Sequence, residues 1–147
     1  MILIDVNVLI YAHRAELPEH GAYARWLTDV ATGPDFFGLS ELALAGVVRI
    51  VTNPRVFKTP TPIATAFEFA GQLRARPNAV IVRPGPRHWE TFRRLCEQAG
   101  AQGKLVADAY HAALALEHGC DWITTDADFA RFPGLRWRHP LSPPDAR

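Results

Sequence analysis

The segment ILIDV (residues 2–6) is a short, apolar, β-branched run that stops at an acid, and it has counterparts at AVIV (79–82), DWITT (121–125) and residues 135–138. Such runs read as buried strands. Between them lie stretches of helical length. NVLIYAHR reads as a short first helix. Pro18 opens a helix over 18–32, with Trp26, Leu27 and Val30 on its inner face and Gly33-Pro34 as its stop. Ser40 caps a helix over 40–53, whose apolar residues fall at 42, 44, 47, 48 and 51, and Pro54 ends it. The three-proline stretch 53–62 reads as an ordered loop, and a helix follows over 61–73. Two more helices are expected at 86–100, closed by Gly100, and at 104–118, closed by Gly119. Strands separated by helices imply a parallel sheet with helices on both faces. The expected fold is α/β: a three-layer α/β/α sandwich on a short, mainly parallel sheet of four or five strands. One domain spans 1–140, and residues 141–147 form a loose tail.

Composition narrows the class of function. Apolar residues make up 48% of the 147, enough for a packed core. No apolar run approaches the roughly 18 residues needed to span a bilayer, and MILIDVNVLIYAHR lacks the basic start of a signal peptide. Cys96 and Cys120 match no metal spacing and read as free, buried thiols of a cytoplasmic protein. The net charge is only +1, so any contact with a nucleic acid must be local.

Four acids draw attention. Asp5 lies at the carboxyl end of the first strand and Asp126 just past that of the third. Asp108 sits near the start of the helix that feeds that third strand, between Val106, Ala107 and Ala109, where an idle charge is costly. Glu41 is in the first turn of its helix, where the dipole favours a carboxylate. In open α/β sheets, ligands bind outside the carboxyl ends of the strands, so these acids converge on one crevice. They repel one another unless some are protonated or a cation holds them. An all-carboxylate set favours a hard ion, Mg²⁺ or Mn²⁺, which keeps most of its waters. A water activated there can attack a phosphodiester. Stored repulsion also implies that Asp108→Asn raises the melting temperature of the metal-free protein.

The segments DVNVLIYA (5–12), SELALAGVVRIVTNPRVF (40–57), LVADAYHAALALEHG (105–119) and TTDADF (124–129) resemble, in order, the four motifs of PIN-domain ribonucleases, and more closely the VapC toxins of bacterial toxin–antitoxin pairs. The resemblance implies a PIN-like nuclease domain and a Mg²⁺-dependent endoribonuclease. It also implies a homodimer neutralised by a VapB-type antitoxin. The catalytic acids of the family fall on Asp5, Glu41, Asp108 and Asp126, with Asp5, Asp108 and Asp126 at the metal. Its polar residue after the first acid falls on Asn7, and the hydroxyl before the last acid on Thr125. Val6 departs from the family, where Thr or Ser is common.

Plainer roles compete with these. Asp126 and Asp128 can each cap the short helix ADFARF; Asp126 is assigned to the site and Asp128 to the cap, with a water-mediated part at the metal. His111, one turn after Asp108, reads as a packing residue. Arg49, Arg55, Lys58 and Lys104 are candidates for RNA phosphates, against a default of solvated charge. Leu42, Val47, Val48, Val51 and Phe57 are a candidate dimer surface or antitoxin groove. The alternative function is a non-catalytic PIN-fold module that only binds partners; four retained acids argue against it. A haloacid-type phosphatase wants a second Asp where Asn7 stands, and a receiver domain wants a late Lys that is not evident.

Overall fold

The computed structural model describes residues 1–143. Five parallel strands form one sheet in the order β3-β2-β1-β4-β5: β1 (Ile2–Ile4), β2 (Phe37–Leu39), β3 (Ala79–Ile81), β4 (Asp121–Ile123) and β5 (Trp137–Arg138). Six helices cover it: α1 (Val6–His13), α2 (His20–Thr32), α3 (Glu41–Val51), α4 (Ile63–Arg74), α5 (His88–Ala99) and α6 (Lys104–His118). The expected α/β sandwich is what the chain forms. The end of the tail expected to be loose, 144–147, lies outside the described residues.

Side chains alternate across the short strands, as the period of two requires. Ile4, Phe37, Leu39 and Ile123 enter a core with α1 to α4; Leu3 and Trp122 enter a second core with α5 and α6. Ile4 pairs with Ile123 and Leu3 with Trp122, so the β1–β4 register keeps each side chain on its own face. All these residues are essentially fully buried.

β2 is not among the expected strands, and Gly38 is the reason the pattern hides it. A Cβ there would lie 3.0 Å from both the Ile2 carbonyl oxygen and Val82 Cγ2. Only glycine lets β1, β2 and Val82 approach this closely, and it interrupts the β-branched signature. Other boundaries shift by a few residues. α2 begins at His20 rather than Pro18, α4 follows Pro62, and β4 ends at Ile123.

The apolar set on α3 divides differently from expectation. Val47 and Val51 are core residues, and Phe57 lies partly buried under the Arg14 guanidinium, 4.1 Å from the ring centre. Leu42 is the one of the five that is exposed, as are Ile63 and Phe67. Val6, the departure from the family pattern, packs toward Gly46, where a Cβ would come within 3.1 Å of its Cγ2. An apolar residue suits that close α1–α3 contact. Of the cysteines, Cys120 is buried and Cys96 only half-buried, and both are free. Among the described residues no helix is long and apolar enough to cross a membrane.

Ser40 caps α3 as its sequence indicates: its Oγ accepts the Ala43 N–H at 3.0 Å, and the side chain is buried. Ser40→Ala leaves that donor without a partner. We expect a loss of about 1 kcal/mol, seen as a fall of a few degrees in melting temperature. An unchanged melt would show that the cap contributes nothing.

Candidate functional site

The strand order reverses at β1: β2 and β3 follow on one side, β4 and β5 on the other. A crevice opens at such a switch point, at the carboxyl ends of the strands. Asp5 and Asp126 leave β1 and β4 at this point, and α6 brings Asp108 to the same mouth.

Asp5 is 6% exposed and serves also as the N-cap of α1. Its Oδ1 accepts the Val6 N–H at 2.7 Å, and its Oδ2 accepts the Thr124 hydroxyl at 2.6 Å. Burial pushes its carboxyl up to about 6; the two hydrogen bonds oppose the shift, and the charges of Asp108 and Asp126 add to it. Burial also raises Asp108, where the Lys104 ammonium works against it and the charges of Asp126 and Asp128 with it. Asp126 feels burial too, but its bonds with Lys104 and the Asp128 N–H outweigh it and hold the carboxyl below the usual range.

Thr124 joins two of these acids. Fully buried, it donates its hydroxyl to Asp5 and accepts the Asp126 N–H at 3.0 Å. The hydroxyl that orients the acids therefore belongs to Thr124, not to Thr125 as expected. One residue of offset decides which side chain of the β4 turn faces inward. The capping assignment is also corrected. Asp126, not Asp128, caps the 3-10 helix Ala127–Arg131: its Oδ1 accepts the Asp128 N–H at 2.9 Å. Its Oδ2 faces the mouth, where it accepts from Lys104 Nζ.

Lys104 is the residue whose place the sequence does not reveal. Its Nζ donates to Asp108 Oδ2 at 2.9 Å and to Asp126 Oδ2 at 2.8 Å. Desolvation lowers its basicity, but these two bonds outweigh that and raise it. Of the four basic candidates for phosphate contact, it is the one that reaches the acids among the described residues. Arg49 lines the groove between α3 and α4, Arg55 is exposed on the following loop, and Lys58 lies beside Arg14 in a cleft over that loop.

Glu41 sits in the first turn of α3, as expected, but one strand away from Asp5 on the side opposite Asp126. Half-exposed, it accepts from Arg74 Nη1 and Arg83 Nε, each at 3.1 Å. The structure gathers Asp5, Asp108 and Asp126 and holds Glu41 between two arginines. His111 is a packing residue: buried, stacked on Trp122 at 5.2 Å and pushed down to about 4 by burial. A cavity of about 770 Å³ opens at the other end of the strands, against Met1, Trp26, Asp35 and Arg138, away from the acids.

The donor set fits a small hard cation. Asp108 and Asp126 already share one positive charge, the Lys104 ammonium, which marks where a cation is held between them. Asn7, two residues after Asp5 in α1, has a buried Oδ1 with no hydrogen-bond partner among the described residues. Among the described residues no three His, Cys, Asp or Glu side chains gather closely enough to enclose an ion. An ion here would bond directly to one or two of the carboxylates and reach the others through its waters.

Known proteins match the chain along nearly its whole length. The model of the PIN domain matches residues 2–135. Ribonuclease VapC43 of Mycobacterium tuberculosis is 48% identical over 141 residues, 96% of each chain. Ribonuclease VapC25 of the same organism is 41% identical over 140 residues, 95% of this chain and 99% of that protein. Among solved structures, VapBC2 of Rickettsia felis bound to a promoter DNA fragment superposes with a TM-score of 0.67 at 19% identity, covering 95% of this chain and 98% of that one. The chain belongs to the PIN-domain family and, within it, to the VapC ribonucleases.

Proposed function

We propose that this protein is the ribonuclease toxin of a VapBC-type pair, a Mg²⁺-dependent endoribonuclease acting in the cytoplasm. Mn²⁺ is an alternative ion. In this reading the protein forms a homodimer and a VapB-type antitoxin restrains it. The observation that carries the chemistry is the convergence of buried Asp5 with Asp108 and Asp126 at the β1/β4 switch point. Support for RNA as substrate and for an antitoxin partner comes from the relatives: those named above are ribonucleases, and the Rickettsia felis structure is of a VapBC protein.

Asp5, Asp108 and Asp126 would hold the ion. When bound, such an ion offsets the charge on the phosphate and makes a water more acidic. The chain's own residues do the rest. Thr124 and the Val6 N–H fix the Asp5 carboxylate, so its remaining lone pairs keep one orientation. Fixed in this way at the mouth, the Asp5 carboxylate can orient the attacking water and accept its proton. Asn7 Oδ1 can accept a hydrogen bond from that water or from one beside it. Attack on phosphorus breaks the bond to the 3′ oxygen, which takes a proton from solvent water, leaving a 5′-phosphate and a 3′-hydroxyl.

Incubation with total RNA, with Mg²⁺ and with excess chelator, followed by mapping of both ends, tests this reading. We expect internal cuts that require the ion and carry 5′-phosphates. Cutting that persists in chelator, or 2′,3′-cyclic phosphate ends, would rule out the mechanism. A well-folded protein that cuts no RNA under any divalent ion would favour the partner-binding module instead.

A further inference from the structure

The position of Lys104 is unexpected on electrostatic grounds. It is the first residue of α6, where the helix dipole disfavours a cation. Its pairing with Asp108 runs Lys first and acid four residues later, the less favourable order on a helix. Gly103 before it provides no side-chain cap, and the first turn contains no acid. Local helix stability therefore does not account for a lysine here. What the ammonium gains is the pair of carboxylates, one on its own helix and one 22 residues away past β4.

We infer that Lys104 is a built-in, displaceable counter-ion that competes with the divalent cation for Asp108 and Asp126. The inference rests on the metal-dependent reading above. In the ion-free protein Lys104 occupies the gap between the two acids and offsets their repulsion. A divalent cation brings twice the charge to the same two oxygens and displaces it. Withdrawal costs little, because the Lys104 side chain is 69% exposed and long enough to re-enter water. The consequence is weak, readily reversed ion binding: the mouth holds its ion only where the ion is abundant. Without Lys104, the acids bind the ion more tightly.

Calorimetric titration of the RNA-free full chain with Mn²⁺, at fixed ionic strength, tests this. The proteins are wild type, Lys104→Met, Lys104→Arg and Asp108→Asn. We expect Lys104→Met to bind Mn²⁺ about tenfold tighter than wild type, the scale of two weak, partly exposed ion pairs removed. Lys104→Arg, which keeps the charge, should stay near wild type, and Asp108→Asn should bind far more weakly. Lys104→Gln replaces the Met variant if the latter does not melt as a folded protein in chelator. Equal or weaker binding by the uncharged variant, with wild type binding through Asp108, overturns the counter-ion inference alone. Absence of Mn²⁺ binding by all four proteins, or equal binding by wild type and Asp108→Asn, overturns the metal-dependent reading and the inference with it. A purely structural tether would change the melt and leave the Mn²⁺ affinity untouched.

Discussion

Asp108→Asn should lower RNA cleavage by at least about 100-fold, the loss expected when a site can no longer hold its ion. The substitution keeps the shape of the side chain and one oxygen for the Lys104 ammonium, so the fold should survive. Asp5→Asn should lose as much, for a different reason: it removes the base candidate as well as a charge. The thermal effects of the two should differ. Four mutually repelling acids, taken alone, imply that Asp108→Asn stabilises the metal-free protein. Lys104 changes that expectation, because the substitution forfeits half of an ion-paired bridge while relieving repulsion that the bridge already offsets. A near-zero shift in melting temperature is therefore expected for Asp108→Asn; for Asp5→Asn, relief of a buried charge competes with the loss of one of the two hydrogen bonds its carboxylate accepts, so its effect should depend on pH. Undiminished cleavage by either folded variant would remove these acids from the mechanism.

The parts of this molecule that can be read in the sequence are those whose signal is local. Ser40 followed by an apolar period marks α3; Gly100 and Gly119, both in the left-handed conformation, mark the ends of α5 and α6. β1, β3 and β4 show themselves as apolar or β-branched runs, and β5 as Leu135 and Trp137 alternating with arginines. β2 does not, because its fitness for the sheet lies in what Gly38 omits, and the atoms that demand the omission come from residues 2, 3 and 82.

The same division runs through the site. Asp5 and Asp108 stand out because an acid amid buried apolar neighbours needs a partner or a purpose. Their partners are not legible in the chain. Whether Thr124 or Thr125 turns inward, and whether Asp126 or Asp128 caps, depends on the path of a turn one residue wide. That Glu41 lies between Arg74 and Arg83 depends on α4 and the β3 exit coming together at the start of α3. Lys104 is an intermediate case. Its spacing to Asp108 is visible as a helical i,i+4 pair, but its second bond, to Asp126, exists only because α6 and the β4 turn meet at one edge.

Asp5→Asn should stabilise the ion-free protein more at pH 7.5 than at pH 4.5, by about 2 kcal/mol. The Asp5 carboxyl titrates near 6 in the folded protein and near 3.8 when exposed. Between those values the folded state retains a proton that the unfolded state has lost. Stability tied to this group is therefore greatest below about 3.8 and falls as pH rises through 6. Wild type alone will not display this plainly, because His111 acts in the opposite sense. Burial lowers its pKa from 6.5 to about 4, so the unfolded state binds the extra proton and stability falls as pH drops across that interval. The two contributions are of similar size, and between about pH 4.5 and 7.5 they largely cancel. Replacing Asp5 removes one of them. The variant's stability should then rise with pH across that interval more steeply than that of wild type, and the gap between them gives the Asp5 contribution. Urea melts of both proteins in chelator at the two pH values measure it. A gap that does not depend on pH would mean that Asp5 titrates as an ordinary exposed acid, and would withdraw it as the proton acceptor at neutral pH.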